Sequence, residues 1–303
     1  MKRFLFKNFI LLFGMSLGVL FFQFYWSDIE VPYYKWHYDI LYKGDENYDC
    51  VIVGNSASTH GLRPSILDSL GLSFVNLSLN GANSNFYLKW YNNHFRPCHI
   101  KPDYFIINTP LTGIRRYEHD ASYFPFALWL SNLLQIDSYS GKILWYSKFN
   151  FLRYRNYWTR KLKSIERELF DYSDYDKGYV TYLGCPSDFQ FYQPPTEKED
   201  KHMIDALKEL IVMVREDSIE ILFVTPPIRN PISDSRVRLN KLTSIIAANY
   251  GIRHFNYQEN AEVADFLSNP QYFTDNLHLS RKGSKVFSSI LREDLRTVLD
   301  YTK

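Results

Sequence analysis

Apolar positions along the chain fall into two alternating rhythms. Five short runs, Asp49–Val53, Ser73–Leu77, Tyr104–Asn108, Ile219–Pro227 and Ile252–Tyr257, are rich in Val, Ile, Leu and Phe and predict strands. Several are solid apolar blocks rather than alternating ones, as expected of strands buried on both faces. Between them the spacing becomes helical. Met203, Ile204, Leu207, Leu210, Ile211 and Val214 fall on one helix face. A short helix is predicted after Arg63, with Pro64 near its first turn and Gly71 just past its end. Further helices are expected over 83–95, over 235–250 closed by Gly251, and over 282–298. Strands alternating with helices predict an α/β fold, a parallel sheet with helices on both faces.

Two segments depart from this rhythm. The run Phe9–Trp26 is almost wholly apolar, follows Lys2, Arg3 and Lys7, and precedes Asp28 and Glu30. About 18 helical residues span roughly 27 Å, close to a hydrocarbon core. The basic-before, acidic-after flanks predict one transmembrane signal anchor over 1–30, N-terminus inside, with residues 31–303 extracytoplasmic. No A-x-A cleavage pattern follows the run, which argues against a removed signal peptide. Val31–Lys43 looks like an aromatic lead-in. Residues 110–200 are rich in Tyr, Trp, Phe, Arg and Lys, show little strand pattern and include a helical stretch over 157–170. They are expected to form an insertion or cap within the domain, with a core of its own or a glycan groove.

Composition narrows the partners. A net charge of +2, with no long Lys/Arg run, argues against nucleic acid. Three widely separated cysteines make neither a metal site nor a disulfide framework. Cys98 and Cys185 could pair in an oxidising compartment, and Cys50 suits a small apolar place in the first strand. His60, His94 and His99 lack metal-ligand spacing, and no cofactor motif is present, so neither metal nor cofactor is expected.

The candidate chemistry lies where strands end. Ligands of open parallel sheets bind beyond the strands' carboxyl ends. There the chain places Gly54-Asn55-Ser56, Asn80-Gly81 and Asn108, while Asp275-x-x-His278 directly precedes the final helix. A serine hydroxyl becomes a useful nucleophile when an imidazole takes its proton and a carboxylate fixes that imidazole's tautomer. Ser56 or Ser58 could be the nucleophile, His278 the base and Asp275 its orienting carboxylate. The Ser56 and Gly81 amides and the Asn108 side chain could donate to an oxyanion. Gly54 is read as the sharp exit that sets a serine over the sheet edge. Asn76-Leu77-Ser78 is a glycosylation sequon, discounted because it falls in a predicted strand.

These blocks, in this order over residues 48–298, resemble the SGNH (GDSL-like) hydrolases, although of the third block only Asn108 is kept. The resemblance implies a three-layer α/β/α sandwich around a flavodoxin-like sheet. It favours Ser56 over Ser58 as nucleophile, with His278 and Asp275 completing the triad and Gly81 and Asn108 in the oxyanion hole. An anchored extracytoplasmic domain of this kind is similar to the membrane-anchored bacterial branch, of teichoic-acid D-alanylation and alginate O-acetylation architecture. It implies a serine esterase or O-acyltransferase that removes or transfers acyl, in particular acetyl, groups on an extracytoplasmic glycan or cell-surface polymer, with a multi-spanning membrane acyltransferase as a partner. The competing expectation is a catalytically inactive module that binds glycan or scaffolds such an acyltransferase.

Overall fold

A computed structural model describes residues 14, 32–80, 82–110, 113–114, 170–183, 198–229, 234–260 and 263–299. The chain divides into two compact units, Met1–Tyr38 with Asp120–Glu166, and Asp39–His119 with Arg167–Lys303. Apart from Gly14, the expected anchor lies outside the described residues. No helix among those described is long and apolar enough to cross a membrane. The helix expected over 157–170 also lies outside them, except Phe170, which begins a strand.

The strands are β1 (Cys50–Val53), β2 (Phe74–Asn76), β3 (Tyr104–Asn108), β4 (Gly113–Ile114), β5 (Phe170–Asp176), β6 (Tyr179–Tyr182), β7 (Lys198–Glu199), β8 (Glu220–Thr225) and β9 (Arg253–Asn256). Five make one sheet in the order β2-β1-β3-β8-β9, parallel throughout. The helices are α1 (Pro32–Tyr42), α2 (Ser56–Thr59), α3 (Pro64–Leu67), α4 (Ser84–Trp90), α5 (Lys201–Glu216), α6 (Asp234–Asn249), α7 (Ala264–Ser268) and α8 (Arg281–Arg296). All five predicted sheet strands are present, and α1 corrects the lead-in to a helix.

Both sheet faces are covered, which explains the solid apolar runs. Cys50 and Ile52 of β1, Ile106 of β3 and Leu222 and Val224 of β8 join one core cluster with Leu67 of α3 and Phe287, Leu291 and Leu295 of α8. The intervening residues point the other way, as the two-residue period of a strand requires. There Phe105 meets the rings of Tyr91 and Phe95 at 5.6 and 5.5 Å, in the turn that extends α4. Leu207, Leu210, Ile211 and Val214 give α5 the buried face expected of it. Cys50 and Cys98 are buried free thiols, and Cys185 lies outside the described residues. Asn76 is fully buried in β2, which removes it as a glycan acceptor.

The 110–200 segment holds a correction. Where little strand pattern was legible, β5 and β6 form an antiparallel hairpin. It packs against the sheet within the same unit: the Lys177 carbonyl accepts Asn76 N–H at 2.9 Å, covering part of edge strand β2. Asp176 accepts from Ser65 Oγ at 2.6 Å. Buried Arg63 pairs with Asp174 through its guanidinium and donates to Tyr179 Oη at 2.9 Å and Ser284 Oγ at 3.1 Å. Desolvation disfavours the Arg63 charge, but the Asp174 contacts outweigh it and raise the guanidinium pKa. Arg63→Ala removes the guanidinium's hydrogen bonds to Asp174, Tyr179 and Ser284, although Asp174 keeps Arg281 and Thr181, and should destabilise the fold by about 2 kcal/mol in urea titration.

Candidate active site

The strand order reverses direction between β1 and β3. The chain leaves β1 for the edge strand β2, then crosses back to β3, so the connections after β1 and β3 diverge to opposite faces. That divergence opens a crevice at the carboxyl edge between them. Val53 pairs with Ile107, which sets the next residues, Gly54 and Asn108, side by side. A Cβ on Gly54 would lie 2.5 Å from Asn108 Cβ and 3.0 Å from Ser58 Cβ. The glycine is therefore required by close approach rather than by a left-handed turn, since Gly54 is not among the positive-φ glycines. The chain passes from β1, ending at Val53, to a helix starting at Ser56 within two residues, and close approach adds a reason for glycine to the sharp exit.

Asn55 then starts α2. Its side-chain oxygen accepts Ala57 N–H at 3.0 Å, an N-cap, and leaves Ser56 as the first helical residue. Two buried side chains hold this turn. Asn76 Nδ2 donates to the carbonyls of Ser58 and Leu62 at 3.0 and 3.2 Å. The Tyr87 hydroxyl accepts from the Gly54 and Leu79 amides and donates to the Gly54 carbonyl at 2.6 Å, pinning the ends of β1 and β2 together. The same geometry separates the two serines: Ser58 is fully buried, while Ser56 is half-buried and faces His278.

His278 arrives on the loop before α8. Phe273 and Leu279 form an isolated antiparallel bridge, and Thr274 N–H bonds the His278 carbonyl at 2.9 Å, closing the loop at its base. Ser280 caps α8 through Gly283 N–H at 3.1 Å. Within the loop Asp275 Oδ1 accepts the amides of Leu277 and His278, both at 2.7 Å, and Oδ2 lies 2.7 Å from His278 Nδ1. His278 Nε2 lies 2.8 Å from Ser56 Oγ. Burial alone would raise the Asp275 pKa; the hydrogen bond to His278, its charge and the two amides outweigh it and hold the carboxyl below its usual range. An ionised Asp275 accepts Nδ1–H and leaves the Nε2 lone pair facing the serine, the tautomer a general base needs.

Asn108 is fully buried at the end of β3, and neither its amide nitrogen nor its oxygen has a hydrogen-bond partner among the described residues. Leaving a buried amide unpaired costs about 1–3 kcal/mol. Gly81 lies outside the described residues. No group of His, Cys, Asp and Glu able to hold a metal occurs among those described.

Three further residues at the site escaped sequence reading. His60, weighed only as a metal ligand, is buried with Nδ1 2.7 Å from the Val180 carbonyl. Tyr182 of β6 packs its ring 4.8 Å from that of His278. Tyr87 had no local signal beyond its place on a predicted helix. Elsewhere at the carboxyl edge, His254 Nε2 lies 2.8 Å from Thr225 Oγ1.

Burial lowers the pKa of His60 to about 3, with the His278 charge second, and that of His254 to about 4. Below pH 6.5 the unfolded chain therefore binds protons that the folded chain refuses. The contribution of these two histidines to stability is complete above pH 6.5 and should fall through the window to pH 4 by on the order of 1 kcal/mol per pH unit for each. Urea midpoints at pH 7, 6 and 5 check this.

No family model matches this sequence, and no curated protein does. Solved structures to which the chain is similar include one described as a lipolytic protein of the G-D-S-L family from Desulfitobacterium hafniense DCB-2. It is 11% identical with a TM-score of 0.43, over 81% of this chain and 98% of that one. A GDSL-like lipase from Bacteroides thetaiotaomicron VPI-5482 is 13% identical with a TM-score of 0.39, over 82% of this chain and 88% of that one. An acetyl-xylooligosaccharide esterase from Geobacillus stearmophilus is 12% identical with a TM-score of 0.43, over 86% and 97%. Likeness at this level assigns no residue roles, which rest on the contacts described above.

Proposed function

We propose that this chain is a serine ester hydrolase of the SGNH kind, working through an acyl-enzyme on Ser56. The observation that carries this reading is the unbroken hydrogen-bonded line from Ser56 Oγ through His278 to Asp275, at 2.8 and 2.7 Å. Ser56 Oγ attacks the ester carbonyl carbon while His278 Nε2 takes its proton. The carbonyl electrons move onto oxygen, and the oxyanion is met by the Ser56 amide and Asn108 Nδ2, with the Gly81 amide as the third donor. Collapse restores the carbonyl and expels the alcohol, which leaves with the proton held by His278. Water then loses a proton to His278 as it attacks the acyl carbon, and Ser56 departs with that proton.

The preferred substrate is an O-acyl, and in particular O-acetyl, group on an extracytoplasmic glycan or cell-surface polymer. The apolar run Phe9–Trp26 supports this placement by tethering the enzyme to the outer side of a membrane. A sugar hydroxyl replacing water in the second step would make the chain an O-acyltransferase. The full chain in detergent, given p-nitrophenyl acetate and then an acetylated glycan with an unacetylated acceptor, tests the reading. Nitrophenol and free acetate support hydrolysis, acetylated acceptor supports transfer, and a folded chain that turns over neither ester contradicts the enzyme and favours a glycan-binding module. If Asn108 donates to the oxyanion, Asn108→Ala should lower kcat about 10²- to 10³-fold with little change in KM.

A further inference from the structure

Three rings meet at the base. Tyr182 lies 4.8 Å from His278, His60 lies 5.5 Å from His278 in an edge-on arrangement, and Tyr182 and His60 are 5.4 Å apart. Two of the three come from outside the catalytic loop: His60 just after α2, and Tyr182 at the end of the hairpin that sequence reading missed. The hairpin is tied to both partners. The Val180 carbonyl accepts from His60 Nδ1 at 2.7 Å, and the Tyr182 carbonyl accepts from Thr274 Oγ1 at 3.0 Å, one residue before Asp275. Its other end is fixed by Arg63, whose guanidinium lies 4.0 Å from the centre of the Tyr179 ring and pairs with Asp174.

We propose that Tyr182 and His60 are positioning residues for His278, through which the β5–β6 hairpin sets the orientation and the basicity of the catalytic base. This rests on the esterase reading of His278. A general base must sit at one angle over its serine, and Asp275 fixes only the Nδ1 side of the ring. Tyr182 and His60 limit rotation and tilt about that hydrogen bond, while Ser56 receives the far nitrogen. During acyl transfer the ring becomes an imidazolium, and an aromatic ring within about 6 Å attracts such a cation.

The charge balance around the base fits this role. Facing His278 are Asp275 from its own loop, Ser56 from α2, His60 and Tyr182. Facing His60 are His278, Asp275, Asn80, Tyr182 and the Val180 carbonyl. A carbonyl can only accept, so His60 carries its proton on Nδ1 and holds its Nε2 lone pair toward the opposite side of the ring. Asp275 is the carboxylate hydrogen-bonded to the base. An aromatic neighbour of the same size that could become cationic would oppose the imidazolium; His60, buried as it is, does not.

The test uses the full chain with Tyr182→Leu, Tyr182→Phe and His60→Asn, the last keeping a donor for the Val180 carbonyl while removing the ring. Two readouts are needed: NMR titration of the His278 imidazole, which requires no turnover, and the pH profile of kcat and KM on p-nitrophenyl acetate. In Tyr182→Leu the ring resonances of His278 should move and kcat should fall about ten-fold, with KM within about two-fold of wild type. Tyr182→Phe should restore both, since the ring and not the hydroxyl acts. His60→Asn should lower kcat about ten-fold with KM held. A folded Tyr182→Leu chain with unchanged His278 ring resonances and unchanged kcat overturns the proposal. A wild-type chain without ester turnover overturns the esterase reading instead, and the NMR shift then still decides whether Tyr182 sets the state of His278.

Discussion

Ser56→Ala and His278→Ala should each lower kcat for ester hydrolysis by about 10⁶-fold, and the double variant should be no worse than either. The non-additivity follows from the 2.8 Å contact between Ser56 Oγ and His278 Nε2. Without the base the hydroxyl keeps its proton and attacks poorly; without the hydroxyl the base has no nucleophile of its own to activate. Either loss removes the same step, so removing both removes nothing more. What survives is the contribution of binding and of the oxyanion donors. Steady-state rates of the three purified variants, corrected for residual wild-type enzyme, measure this. Rates that fall additively would mean that the two side chains act in separate steps.

Asp275→Asn should lower kcat by about 10⁴-fold while leaving the fold intact. Two functions of Asp275 separate cleanly here. Its Oδ1 accepts the amides of Leu277 and His278, and an asparagine oxygen can accept both, so the loop before α8 keeps its shape. Its Oδ2 faces His278 Nδ1, and there asparagine presents an N–H instead. An N–H donor forces Nδ1 to accept, which moves the ring proton to Nε2 and leaves no lone pair for Ser56. Asp275→Ala should lose the two amide caps as well, with a lower urea midpoint than Asp275→Asn. Kinetics and denaturation of the pair check both halves. Equal stability of the two variants would show that the caps do not hold the loop.

Much of this site was legible because its parts are short and chemically distinctive. Cys50–Val53, Tyr104–Asn108 and Glu220–Thr225 are apolar runs buried on both faces, so their strand character needs no knowledge of partners. Asp275, His278 and the Ser280 cap sit within six residues, and their mutual hydrogen bonds are local. Ser56 could be ranked over Ser58 only by resemblance, because what distinguishes them is the full burial of Ser58, whose carbonyl is held by Asn76 from β2.

The β5–β6 hairpin was hidden for a related reason. Its inward positions mix the apolar Tyr179 and Val180 with Asp174 and Thr181, because Asp174 meets the Arg63 guanidinium and Thr181 donates to Asp174. A signal was present in Lys177-Gly178, both at positive φ, a two-residue turn between segments rich in Tyr, Val and Thr. The close approach of Gly54 to Asn108 was not legible, because it depends on register, which is not visible until β1 and β3 are paired. His60 and Tyr182 are brought to His278 from 218 and 96 positions away in sequence, counted as 278 − 60 and 278 − 182, and neither has a neighbour in the chain that marks it.

The central claim, that Ser56 is the nucleophile of a serine hydrolase, is tested most directly by trapping it. The full chain is treated with a fluorophosphonate, digested, and the adduct located by tandem mass spectrometry. The account predicts a single phosphonylated residue, Ser56, with labelling lost in Ser56→Ala and strongly slowed in His278→Ala. A folded chain that takes no label, or one whose adduct lies on Ser58 or elsewhere and survives Ser56→Ala, would contradict it.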